Sequence, residues 1–217
     1  MKRLGLLVLF IFLCILLYTD QVAYTTDGKK VLLKDNGTWE YVIEATRGDD
    51  FDFRKTNWGF SMDQVKNSES LSLVREEQNA LMYKGTLSDL DCYVVFVFAK
   101  GKLVRTKYVI VEEHSNKNDY IRDYESLKRL LSNKYGTPIQ DKTIWRNSLY
   151  KDDREEWGFA VSMGHLVYLS TWETSETEIS DFLYGDNYEI SLGIEYSSKF
   201  LKSLEQAEKE QATQGDL

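Results

Sequence analysis

Two histidines, two cysteines and a single proline in 217 residues leave this chain poorly supplied for several kinds of chemistry. A hydrolase needs a nucleophile beside an activating base, and the only imidazoles are His114 and His165, neither in a recognisable motif. The sequence has no G-x-S-x-G elbow, H-E-x-x-H helix, P-loop or G-x-G-x-x-G turn, so nucleophile-elbow, zincin and nucleotide-binding readings lose their usual signatures. Cys14 lies inside an N-terminal apolar run. Once that run is removed, Cys92 stands alone and no intramolecular disulfide can form. Excess positive charge is lacking too. The net charge is −8, and an acidic body repels phosphate backbones and anionic headgroups, so no nucleic-acid partner is expected. No motif calls for a cofactor or a metal. One proline beside 13% aromatic residues describes ordered sheet rather than a low-complexity linker.

What is present begins at the N-terminus, where Lys2 and Arg3 precede an unbroken apolar run over residues 4–18. The cations stay on the cytoplasmic side while the run enters the translocon, so the remainder is expected outside the cytoplasm. The run is shorter than the roughly 20 residues that span a bilayer comfortably, which favours a signal peptide. No small-x-small site follows, however: a cut after Ala23 puts Gln21 three residues back, and a cut after Thr19 puts Leu17 there. Residues 1–23 are therefore read as a signal peptide or an uncleaved anchor, and the product as periplasmic, secreted or tethered by residues 4–18. Leu13 is a poor neighbour for a lipid-modified Cys14, and the apolar run continues beyond it. The membrane is met only through this segment, and only if it is kept.

Residues 24–44 read as a small β-hairpin unit of short strands. Asp27-Gly28 and Asn36-Gly37 are tight-turn dipeptides, and Trp39, Tyr41 and Ile43 share one face. Asn36-Gly37-Thr38 is also a glycosylation sequon, but a type I′ turn is the simpler reading. Residues 45–57, with Gly48 and three aspartates, look like a linker. The α+β domain is placed at 58–197. Ser61 and Gln64 form a capping box that opens a short helix and points Val65 at the core. Strands follow near 80–84, 90–99 and 102–112, with Cys92, Val94, Phe96 and Phe98 on one face, met by Val104, Tyr108 and Ile110. Tyr120, Tyr124, Leu127 and Leu131 recur at helical spacing over 119–135, with Gly136 and Pro138 as the stop. Beyond them strands are expected near 143–146, 157–163 and 166–172, then a short helix over 176–183 and a last alternating strand over 188–196. The tail, 198–217, is read as partly helical or disordered. The class is α+β: a curved antiparallel sheet of meanders with two or three packed helices, preceded by the hairpin unit.

The motif Trp58-Gly59-Phe60-Ser61 with Val65, a meander, Leu127, Leu131 and then Lys134-Tyr135-Gly136-Thr137-Pro138 is similar to small envelope domains of the BamE/SmpA and β-lactamase-inhibitor-protein kind. The similarity spans residues 58–196. It implies helices packed on a curved antiparallel sheet and a role in binding other proteins. The missing lipobox departs from the lipoprotein members. The leader with Thr26-Asp27-Gly28-Lys29 and Gly37-Thr38-Trp39 likewise resembles a hairpin segment of various exported bacterial proteins.

His114 at a polar strand end and His165 in a Met-Gly-His turn read as loop histidines. Cys92 alternates with Val94 and Phe96 and reads as a small buried hydrophobe rather than a reactive thiol. Asp49, Asp50 and Asp52, then Glu112 and Glu113, then Asp152, Asp153, Glu155 and Glu156, lack calcium-loop spacing and read as solvated acids. The tryptophans Trp39, Trp58, Trp145, Trp157 and Trp172 suit core packing better than a sugar platform. The repeated Trp-Gly-Phe at 58–60 and 157–159 hints at a duplication, discounted because its copies fall in different local settings. Small residues expected to face outward on late strands, Gly158, Ala160, Ser162, Ser191 and Gly193, would let another backbone or an aromatic ring approach the sheet. They are the candidate interaction residues. The expected role is a non-catalytic module that binds another envelope or secreted protein, with a glycan or small-molecule binder as the alternative and an acidic-residue hydrolase behind it.

Overall fold

A computed structural model describes residues 21–25, 30–34, 37–41 and 51–215. The leader and the Asp27-Gly28 turn lie outside the described residues, as do Asn36 and Ile43. The chain divides into two units, Met1–Ala45 and Thr46–Leu217. In the first, strands β1 (Gln21–Tyr24), β2 (Lys30–Leu33) and β3 (Trp39–Tyr41) form an antiparallel three-stranded sheet. Gly37 takes φ of 77°, and the amide of Lys34 donates to the Thr38 carbonyl at 2.8 Å across that turn. Positive φ at this place is what a tight hairpin turn demands and what glycine supplies without strain.

The second unit is built on one open eight-stranded antiparallel sheet. In chain order it runs α1 (Met62–Ser68), β4 (Ser72–Glu77), β5 (Ala80–Leu87), β6 (Leu90–Ala99), β7 (Lys102–Ile110), α2 (Asn118–Tyr135) and β8 (Gln140–Trp145). A 3-10 turn (Arg154–Glu156) then leads to α3 (Trp157–Ser162), β9 (Leu166–Glu173), β10 (Thr177–Asp186), β11 (Glu189–Ser198) and α4 (Lys202–Gly215). Strand order is β4-β5-β6-β7-β11-β10-β9-β8, a palindrome of two helix-led meanders joined by their last strands. The α+β class stands. It carries four α-helices among the described residues rather than two or three.

The reciprocal cap at Ser61 and Gln64 forms, with the Ser61 amide donating to Gln64 Oε1 at 2.8 Å, and Val65 is fully buried. Helix α2 ends at Gly136, with φ of 85°, and lays Tyr124, Leu127 and Leu131 on the sheet. Three assignments change. Within the expected strand 157–163, Trp157–Ser162 is helix: every position of Trp-Gly-Phe-Ala-Val is small or apolar, so no period separates helix from strand there. Within the expected helix 176–183, residues 177–183 belong to β10, because Thr177, Ile179, Asp181 and Leu183 alternate inward and ladders on both sides satisfy the backbone. Strand β4 was not foreseen: it is exposed along its whole length and lies at the sheet edge, where no buried face imposes a pattern. Of the expected linker, residues 51–57 lie among the described residues, and Phe53 and Thr56 there are buried. Phe53 is 4% exposed and its ring sits 5.0 Å from Tyr196, 5.2 Å from Tyr108 and 5.7 Å from Phe96. Val104 leaves the face of Tyr108 and Ile110, because a bulge opposite Val97 and Phe98 turns it to the other side. Most of the tail forms the helix α4. Among the described residues no helix is long and apolar enough to cross a membrane.

The core lies on the α2 side. One transverse row of paired residues there reads Tyr83, Val94, Tyr108, Ile194, Asp181, Ser170 and Asp141. Asp181 is fully buried, and neither carboxylate oxygen has a hydrogen-bond partner among the described residues. Tyr124 pairs with Ser170 at 2.6 Å, and Ser170 donates to Asp141 at 2.9 Å, so the nearby hydroxyls are already engaged. Burial pushes the Asp181 carboxyl up to about 8; Lys128 opposes this, while Glu125 and Asp141 add to it. The folded state therefore holds a proton that the unfolded chain releases near pH 4. The associated stability is full below about pH 4, declines as pH rises, and levels off above about 8. Asp181→Asn should flatten that decline. Its stability relative to the native chain should rise by about 2–4 kcal/mol between pH 4 and pH 7.5, read from urea unfolding at several pH values.

Candidate functional site

The opposite face of the sheet is only partly covered. Helix α4 occupies one corner, where Leu201 packs on Ala99 and Val104 with Trp58 and Leu204 beside them. Beyond that corner, a second transverse row reads Tyr93, Val109, Gly193, Phe182 and Leu169, ending at Lys142. No helix among the described residues packs over it. Val109 is 36% and Tyr184 45% exposed, and the Phe182 and Tyr184 rings lie 5.7 Å apart. Gly193 makes the row continuous: a Cβ there would stand 3.0 Å from Phe182 Cζ, so the ring reaches over the glycine from the neighbouring strand.

A charged rail runs beside this row. Lys107 meets Glu195 at 2.7 Å and Arg105 meets it at 3.4 Å, while Arg105 also binds Glu205 of α4. Its hydrogen bond to Glu205 holds the Arg105 guanidinium above its ordinary range. The next strands continue with Ser180, Thr171 and Gln140. The face thus carries an apolar strip of aromatic and branched residues beside a polar, ion-paired rim.

The five small residues singled out from sequence divide between two places. Ser191 and Gly193 lie on this outer face in β11. Gly158, Ala160 and Ser162 do not: they are buried in α3. A Cβ on Gly158 would lie 2.2 Å from the Lys117 carbonyl carbon and 2.4 Å from the Asn118 amide nitrogen. The Gly158 amide donates to Asn118 Oδ1 at 2.6 Å. Close backbone approach does occur at Gly158, but the approaching backbone is the start of α2.

The other candidates are dispersed. His114 Nε2 contacts Asp123 Oδ2 at 2.5 Å and its ring meets Tyr120 edge-on. His165 stacks on Tyr150 with ring centroids 5.9 Å apart. Cys92 is buried, and that burial pushes its thiol up to about 11, which leaves it a poor nucleophile at neutral pH. Asp153 caps the 3-10 turn through the Glu155 amide, and Glu112 accepts from the Asp91 amide. No cluster of three metal-ligating side chains occurs among the described residues. Four tryptophans serve packing or local bonding: Trp172 donates to the Gly136 carbonyl, Trp58 to Thr177, Trp157 to the Lys151 carbonyl, and Trp145 meets Trp157 at 5.7 Å.

Tyr93, Val109, Phe182, Leu169 and Tyr184 were missed from sequence. One signal was available: residues 92–99 are apolar at both phases, which states that neither face of that strand is fully wet. The chain matches no protein-family model, and comparison with curated proteins and with solved structures gives no match.

The Gly158 contact has a measurable consequence. Gly158→Ala must push α3 off the first turn of α2 and should destabilise the domain by about 3 kcal/mol, read from urea or thermal unfolding. Ser191→Ala, on the open face, should change stability by less than about 0.5 kcal/mol.

Proposed function

We propose that this chain is an exported, non-catalytic binding module of the cell envelope, and that another envelope or secreted protein seats on the outer face of its sheet. The uncovered row Tyr93, Val109, Phe182 and Leu169, flanked by the Arg105, Lys107 and Glu195 rail, is the observation that carries this reading. Contiguous apolar surface on a folded domain marks a contact site, and charged rims set its register. The cationic start and apolar run of the leader support export, and the resemblance to BamE/SmpA and β-lactamase-inhibitor-protein domains supports a protein ligand. A stripe of large side chains along a sheet face offers anchors of the kind that dominate binding energy.

A photo-crosslinking residue at Tyr93, placed in the native cell, should yield one adduct of defined mass outside the cytoplasm. The same probe at Arg122, exposed on α2, should not. Val109→Arg should weaken the purified complex with that partner by about 10- to 100-fold without lowering the melting temperature appreciably. Equal labelling from both positions, or an unaffected affinity, would refute the outer face as the interface.

A further inference from the structure

On the α2 side of the β7–β11 seam a cleft of about 590 Å³ opens between residues 51–54, the turn after β9 and the end of α2. That is the size of a site for a small ligand. Its lining includes the phenols of Tyr108, Tyr135 and Tyr196 and the hydroxyls of Thr174, Ser175 and Thr177. The Tyr196 ring lies 6.5 Å from Tyr135 and 6.4 Å from Tyr108, so the three phenols are neighbours. Burial raises Tyr108 and Tyr196 above the ordinary phenol range, so both remain neutral groups that can donate and accept.

Arg54 is held here at a conformational cost. Its φ is 53°, a left-handed value that strains a non-glycine residue and clusters at ligand sites. The guanidinium is already engaged: Nε meets Glu69 at 2.7 Å and Nη2 meets it at 3.1 Å, and the Glu69 side chain is 4% exposed. Lys134 lines the cleft together with the carboxylates of Asp52 and Glu176. Each observation removes a ligand class. A strong anion would face two carboxylates with the arginine neutralised, and an apolar ligand would find only Phe51, Phe53 and Ile179 as apolar walls among ten side chains that carry polar groups.

We propose that this cleft binds a small neutral polyhydroxylated molecule, a sugar or polyol, whose hydroxyls exchange hydrogen bonds with Tyr108, Tyr135, Tyr196 and the Thr174–Thr177 turn. The site lies on the other side of the sheet from the outer-face row and does not depend on it. Trp58 reports on it, since its Nε1 donates to Thr177 Oγ1 at 2.9 Å.

The test titrates the full chain with maltotriose, N-acetylglucosamine trimer and myo-inositol, and with inorganic phosphate and decanoate as counter-probes. Tryptophan fluorescence and saturation-transfer NMR supply the readouts. At least one neutral probe should bind with Kd below about 1 mM. Ser175→Trp, which fills the cleft from an exposed turn, should abolish that binding, and Tyr135→Phe should weaken it at least tenfold. Val109→Arg on the outer face should leave it unchanged. Binding of phosphate or decanoate alone overturns the assignment, as does no binding by any neutral probe, or saccharide binding indifferent to Ser175→Trp in a variant that keeps the native melting temperature.

Discussion

The ladder between β7 and β11 is the contact on which the rest of the second unit depends. It has five residue pairs, from Gly193 opposite Val109 to Ser197 opposite Arg105, and it joins two meanders whose other pairings are all local in sequence. Without it, β7 and β11 would each present a bare edge of unpaired amides and carbonyls. With it, alternate residues are committed to two faces at once. Tyr108 and Tyr196 go to the core side, where they hold Phe53. Val109, Gly193, Lys107 and Glu195 go to the outer side. The cleft and the outer row are therefore two products of one register, and a slip of one residue would erase both.

Coverage of those faces is unequal, and helix length explains why. At 1.5 Å per residue, the seven residues of α1 reach only about 10 Å, whereas the eighteen of α2 reach about 27 Å. Helix α2 screens β9, β10 and β11 and seals Asp181 beneath Tyr124 and Lys128. Helix α1 contributes a single buried residue, Val65, and stops short of the seam. The gap is filled from the N-terminal side by the Phe53 ring, with Arg54 tied back to Glu69 at the end of α1. The cleft is the space this plug does not fill.

Much of this was legible in sequence wherever one face is buried and the other wet. The alternation through Cys92, Val94 and Phe96, the helical spacing of Tyr124, Leu127 and Leu131, and the Ser61 cap all carry single-valued patterns, and each element lies where its pattern puts it. Patterns failed in three physical situations. Where a segment is buried all round, as around Phe159 and Val161, periodicity has nothing to report. Where acids interrupt a strand, as at Glu178 and Asp181, their three-residue spacing imitates a helix, although Asp181 points into the core. Where a strand is an exposed edge, as in β4, no pattern is imposed at all. The outer row was hidden for the second reason. Phe182 could not be placed on a sheet face while residues 176–183 were read as helix.

The palindromic strand order returns to the repeated Trp-Gly-Phe with a different answer. The two halves do share an architecture, a helix followed by a four-stranded meander, but the tripeptides do not mark it: the first precedes α1, the second lies within α3 between β8 and β9. The likeness is therefore one of topology, and the differences between halves matter more. Across the core row, the first half places Tyr83 and Val94, and the second places Asp181 and Ser170. Where the first half joins β4 to β5 through a short turn, the second inserts α3 and seats it against the start of α2 through Gly158. The second half is thus covered on its core face by both α2 and α3. The first kept a short helix and an open seam, and that asymmetry gives an otherwise repetitive sheet one concave polar site and one uncovered apolar face.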